Sequence, residues 1–110
     1  MKSAMRQSAE KASSLPYSFK YKITAAFWGR KCPVCGITMG NIVDKTLGIV
    51  GKDFIPTVQH NVPISKGGRH ELGNISVICK RCNVSIQDAE TGELNAKEVA
   101  DTWQMLNGSR

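Results

Sequence analysis

Residues 57–68 read TVQHNVPISKGG, and residues 79–83 read CKRCN. The first stretch is a short apolar run that meets a histidine, then a proline and a Gly-Gly pair. From Pro63 to Asn74 the composition is that of a loop. A second apolar run, ISVIC, follows and passes into a helix expected near Cys82. A lone histidine at the end of a strand decides nothing. The reading depends on the cysteines on either side of it.

Cys32 and Cys35 form CPVC; Cys79 and Cys82 form CKRC. A two-residue gap lets both sulfurs of a tight turn point at one ion, and two such knuckles supply four thiolates, the donor set of a closed structural zinc site. Redox pairs or unligated thiols are the alternatives. Matched CxxC pairs without an export signal favour Zn2+. Lys31, Lys80 and Arg81 beside the knuckles also favour the thiolate form.

Outward from this centre, Phe19, Ile23 and Phe27 recur at helical spacing, predicting a short amphipathic helix within 17–28 that stops at Gly29. Residues 37–59 alternate β-branched residues with Gly40, Gly48 and Gly51, as short strands and turns do. Asn95 followed by Glu98 reads as an N-cap with its return partner, opening a C-terminal helix with Val99, Trp103 and Leu106 facing inward. Residues 1–16 are a basic arm or a frayed helix, 17–91 a zinc-knuckle domain and 92–110 a helix packing on it. Asp44 and Asp53 read as surface carboxylates.

A chain of 110 residues with two Trp, two Tyr and three Phe has a thin core, and small domains of that kind often lean on a metal. Fifteen Lys and Arg against nine Asp and Glu leave +6, which suits an anionic partner such as nucleic acid. No apolar run approaches the roughly 18 residues of a membrane span. The N-terminus has basic residues but no apolar signal core, so a cytoplasmic location is expected.

Gln59-His60, Pro63, Gly67-Gly68, Asn74 and Cys79-Lys80-Arg81-Cys82-Asn83, in that order, closely resemble the HNH endonuclease family, in its subgroup braced by two CxxC knuckles. The resemblance runs from about Trp28 to Gln87. It implies an α+β fold: a ββα-metal (His-Me finger) HNH core braced by the four-Cys zinc site, with flanking N- and C-terminal helices. His60 would close the first strand, Asn74 open the second, and Asn83 begin the helix. By similarity His60 is the general base, Asn74 the clamp of the hairpin loop, and Asn83 a ligand of a catalytic divalent ion. The chemistry asks for these types independently: imidazole can take a proton from water near neutral pH, and Mg2+ or Mn2+ prefers oxygen donors such as an amide carbonyl. Lys66 and Arg69 are expected to contact phosphate. His70 is expected to face water more than phosphate, and Lys80 and Arg81 complete the candidate nucleic-acid-binding set.

The family usually places an acidic metal ligand immediately before the catalytic histidine. Here Gln59 occupies that position, and no basic residue stands one turn beyond Asn83. A site with Gln59 and Asn83 as neutral ligands should bind Mg2+ weakly, and Mn2+ or Ni2+ becomes the better candidate. The resemblance thus implies a metal-dependent endonuclease that nicks or cuts DNA, with RNA left open. The alternative is a zinc-braced nucleic-acid-binding module that has lost hydrolysis through Gln59. A protein-interaction adaptor built on Trp103 and Met105 is a third reading, although core packing explains that helix more simply. Small proteins of this kind look like those of phages and mobile elements, and a homodimer or larger assembly would favour double-strand cutting.

Overall fold

The computed structural model describes residues 15–40, 42–44 and 49–108. Apart from Leu15 and Pro16, the arm expected over 1–16 lies outside the described residues. Helix α1 (Phe19–Ala26) buries Phe19 and Ile23, and Phe27 just beyond it, while Tyr17 and Tyr21 point to solvent. Gly29 adopts φ +92°, a left-handed turn that a side chain resists, and its N–H donates to Met39 O at 2.8 Å. The chain therefore passes directly from α1 into the first cysteine knuckle.

Strands β1 (Ile42–Asp44) and β2 (Ile49–Gly51) form one antiparallel pair. A 3-10 turn over Lys52–Phe54 leads into β3 (Pro56–His60), which pairs antiparallel with β4 (Ile75–Cys79). The register joins Pro56 to Cys79 at one end and His60 to Ile75 at the other. Helix α2 (Lys80–Ile86) follows β4 without a break, and α3 (Ala96–Gly108) closes the chain. The fold is α+β, with two two-stranded antiparallel sheets, helices and a four-cysteine cluster, consistent with the core that the sequence resemblance implies.

All five residues of β4 are buried, which explains why ISVIC is mostly apolar rather than alternating, with Ser76 the one polar residue. Helices α1 and α3 contact each other, and α3 also contacts β4. The Phe19 and Trp103 rings meet edge to face at 4.8 Å, and Ile23, Val77 and Val99 are fully buried. Fully burying a Phe or Val side chain stabilises the fold by about 1.5–3 kcal/mol, so these few residues carry a large share of a small core. Trp103 lies in that core rather than on an adaptor surface.

Three local expectations are corrected. Helix α2 begins at Lys80, not Asn83, because Cys79 Sγ accepts the Cys82 N–H at 3.4 Å and serves as the N-cap. Leu106 is 46 % exposed and does not join Val99 and Trp103 inside. Asn95 and Glu98 do not form a reciprocal cap through their side chains: Glu98 pairs with Arg30 at 2.9 Å, and the Asn95 amide grips β4. The Val77 N–H donates to Asn95 Oδ1 at 3.0 Å, while Asn95 Nδ2 donates to Val77 O at 2.9 Å. One side chain thus replaces a missing third strand by satisfying both backbone groups of a fully buried residue. Asn95→Ala should destabilise the fold by about 2–4 kcal/mol, from two buried groups left unpaired. Urea unfolding checks this, and a loss below about 0.5 kcal/mol would mean that the amide is not needed there.

Candidate active site

The loop after β3 is held by short contacts that few residue types could make. Gly67 turns left-handed at φ +92°. A Cβ on Gly68 would lie 1.7 Å from Val62 O, so only glycine fits that approach. Asn74 spans the loop: its Oδ1 accepts the Val62 N–H at 2.8 Å, and its Nδ2 donates to Val62 O at 3.0 Å and Arg69 O at 2.9 Å. Asn74 precedes β4, at the place where a clamp between the hairpin arms can act. Asn61, buried beside it, accepts from Ser76 Oγ at 2.9 Å and Thr91 Oγ1 at 3.2 Å, and donates to Glu93 O at 3.3 Å. Its neighbourhood ties the hairpin to the segment entering α3.

His60, at the end of β3, is half-buried, and its Nε2 lies 3.0 Å from His70 Nδ1. Expected to face water, His70 instead leaves the loop inward, with its ring edge-on to Phe19 at 5.7 Å. Burial, and then the neighbouring His70, hold the His60 imidazole below its ordinary range; burial does the same to His70. A neutral imidazole can accept a proton, so these surroundings suit a base.

His60 lines an open cavity of ≈ 510 Å³ together with Gln59 and Asn83. Asn83 Nδ2 donates to Thr57 Oγ1 at 2.9 Å and Val58 O at 3.0 Å, which commits both its protons and leaves Oδ1 as the group with spare capacity. Gln59 is only 4 % exposed, and its Nε2 has no hydrogen-bond partner among the described residues. Leaving such a donor buried and unpaired costs about 1–3 kcal/mol. Asp88 lines the same cavity and is the one carboxylate in its wall. It arrives there because Gln87 ends α2 at φ 53°, an uncommon backbone conformation for a residue with a side chain. Nothing in the sequence between Cys82 and Ala89 signals that reversal.

The four cysteine sulfurs all lie within 4.8 Å of one another, and Cys35 Sγ is 3.8 Å from Cys79 Sγ. That separation is far too long for a disulfide, and it is the edge of a tetrahedron with bonds of about 2.3 Å to a central zinc. The N–H groups of Val34 and Cys79 point at Cys32 Sγ from 3.4 and 3.5 Å. Burial opposes ionisation of Cys32, but those donors, with Cys35, outweigh it and hold the thiol below its ordinary value. Burial pushes Cys79 and Cys82 up. The four side chains could therefore hold a metal such as zinc, and binding would displace protons from the raised thiols. Among the described residues this is the one group of three or more His, Cys, Asp or Glu side chains close enough to do so.

The basic residues separate into two groups. Lys66 and Arg69 are exposed on the loop beside His60. Lys80 and Arg81 are exposed at the start of α2, at the knuckle end of the hairpin, with Arg81 6.0 Å from the Phe54 ring. The strand between these ends is about 13 Å long at the usual rise per residue. No ion pair holds any of the four among the described residues.

Residues 48–88 match the family model described as HNH endonuclease. That segment holds β2, β3, β4, α2 and the second knuckle; the first knuckle, outside it, is restored by the fold to the same cluster. The cluster is consistent with the subgroup braced by two CxxC knuckles. No curated protein and no solved structure matches the chain. No helix among the described residues is long and apolar enough to cross a membrane.

Proposed function

We propose that this chain, through its HNH domain, is a metal-dependent endonuclease that hydrolyses DNA phosphodiester bonds, with His60 as the general base. The observation that carries the reading is the meeting of His60, Gln59 and Asn83 on one cavity within the segment that matches the family. His60 accepts the proton of a water as its oxygen attacks phosphorus and the bond to the 3′-oxygen breaks. A divalent ion bound there would neutralise the scissile phosphate and the departing oxygen. Asn83 Oδ1 and the Gln59 amide carbonyl would hold it, and Asp88 brings to the same cavity the negative charge that Gln59 lacks. Such an oxygen donor set fits Mg2+ or Mn2+.

Lys66 and Arg69 would place phosphates over His60, while Lys80 and Arg81 would follow the strand toward the knuckles. The four cysteines would hold a structural Zn2+ with no open position for chemistry. Residues 17–91 form the working domain in this reading, and 92–110 brace it through α3.

Supercoiled plasmid incubated with the zinc-loaded protein in Mg2+, Mn2+, Ni2+ or EDTA tests the proposal. Conversion to open-circular or linear DNA that needs the added ion supports it. Intact plasmid in every lane, with a salt-sensitive gel shift, would instead favour a binding module, for which the neutral, buried Gln59 speaks. Gln59→Asp should lower the Mn2+ concentration for half-maximal cleavage by roughly tenfold, because hard cations respond to ligand charge. An unchanged ion requirement would remove Gln59 from the ligand set.

A further inference from the structure

Resting on the hydrolase reading above and deepening it, we propose that His70 is a positioning residue that fixes the His60 ring in the tautomer protonated at Nε2, leaving Nδ1 as the atom that takes the proton from water. His60 Nε2 lies 3.0 Å from His70 Nδ1. Two lone pairs repel at that distance and two N–H groups collide, so one nitrogen carries a proton and the other does not. If His70 donates, the only lone pair of a neutral His60 is taken by that bond and Nδ1 carries its proton. Such a ring accepts nothing from water. If His60 donates, its Nδ1 keeps a lone pair and the ring is a base.

The second arrangement is the one that leaves His60 able to act as a base, and the surroundings accommodate it. Among the described residues no hydrogen bond is made by His70 Nε2, so that nitrogen is free to keep the proton of a neutral ring and to leave Nδ1 as acceptor. His60 lines the cavity, whereas His70 does not. With the Nε2 side closed by His70, Nδ1 is the ring nitrogen left for a water in the cavity. The partner is itself held: Asn74 Nδ2 bonds Arg69 O at 2.9 Å, one residue before His70, and Phe19 packs edge-on against the ring. Neither group belongs to the chemistry; both keep the acceptor in place.

The pair also acts during the reaction. As the proton moves from water to Nδ1, His60 becomes imidazolium, and its Nε2–H bond to His70 becomes charge-assisted and stronger. While it is neutral, His70 thus stabilises the imidazolium reached during catalysis more than the resting ring, the condition for a positioning group to raise kcat rather than substrate affinity; protonated, it would oppose that charge.

The test uses the full zinc-loaded chain and two readouts. Nitrogen-15 spectra of the His60 ring, taken without DNA or a second divalent ion, report the tautomer. Plasmid cleavage in Mn2+ gives kcat and KM. The Nε2–H form should dominate in the wild type, and His70→Ala should mix the tautomers and lower kcat by about 10–100-fold, the range for residues that orient a functional histidine, with KM unchanged. His70→Asn, which offers a carbonyl acceptor, should restore the Nε2–H signature and most of kcat. A dominant Nδ1–H form in the wild type overturns the proposal even if no variant folds. So does His70→Ala with the tautomer and kcat both unmoved. A wild-type chain that cleaves nothing, but loses its Nε2–H signature in His70→Ala, overturns the nuclease reading and leaves the positioning role standing.

Discussion

His60→Ala should reduce plasmid cleavage by about 10²–10⁴-fold, the contribution of a positioned general base, while zinc content and DNA retention stay at wild-type levels. The separation of effects follows from the fold. His60 ends β3 opposite Ile75, whereas Cys79 stands opposite Pro56 at the far end of the same pair. Its ring is half-buried and bonded only to His70 among the described residues, so truncation leaves no buried backbone group unpaired. Asn83→Ala would be a poorer test, because it also removes the bonds to Thr57 and Val58 that fasten α2 onto β3. Zinc stoichiometry, a gel shift across a salt series and cleavage in Mn2+ are measured on both proteins. Cleavage by His60→Ala at the wild-type rate would sink the assignment of the base.

How far the sequence could be read depended on whether a contact was local. The knuckles were legible because a CxxC gap determines sulfur geometry within one turn, and the structure brings Cys32, Cys35, Cys79 and Cys82 together. The β3–β4 hairpin was legible because apolar runs flank a loop of Pro and Gly, and Gly68 proves to have no room for a side chain. The His60–His70 contact was hidden, since it depends on how the whole loop folds back under the Asn74 clamp and on Phe19 from a distant helix. Asn95 misled for a related reason. Its local pattern is that of a cap, but the unpaired edge of β4 at Val77 offers its amide two backbone bonds. Asp88 entered the cavity through a backbone turn at Gln87 that no residue preference announces. Gln59 stands out in the sequence as a neutral residue where the family places an acidic one, but its burial with an unpaired donor could not be read from its neighbours in the chain.

If the four cysteines hold zinc as proposed, removing it should unfold the domain rather than merely weaken it. Structural zinc contributes an apparent binding free energy of about 10–16 kcal/mol at neutral pH, against a total stability of about 5–15 kcal/mol for an ordinary domain. The core cannot make up that difference, because much of it lies against the site: Cys32 and Cys79 are themselves buried members of the cluster of Phe19, Ile23, Phe27, Val77 and Trp103. Cys79 has three tasks, ending β4, capping α2 through its sulfur, and facing Cys35 across 3.8 Å. Cys79→Ser should therefore prevent cooperative folding, and Cys35→Ser, at an exposed member of the cluster, should lower the melting temperature while leaving a folded, more weakly metallated domain. A chelator added to the wild-type protein should abolish the cooperative thermal transition, with zinc restoring it. Because His60 lies on the same hairpin, cleavage and DNA binding should vanish together on chelation, unlike the selective loss in His60→Ala. A chelated chain that keeps its full melting transition would show that the apolar core alone holds the hairpin, and the cysteines would then need another explanation.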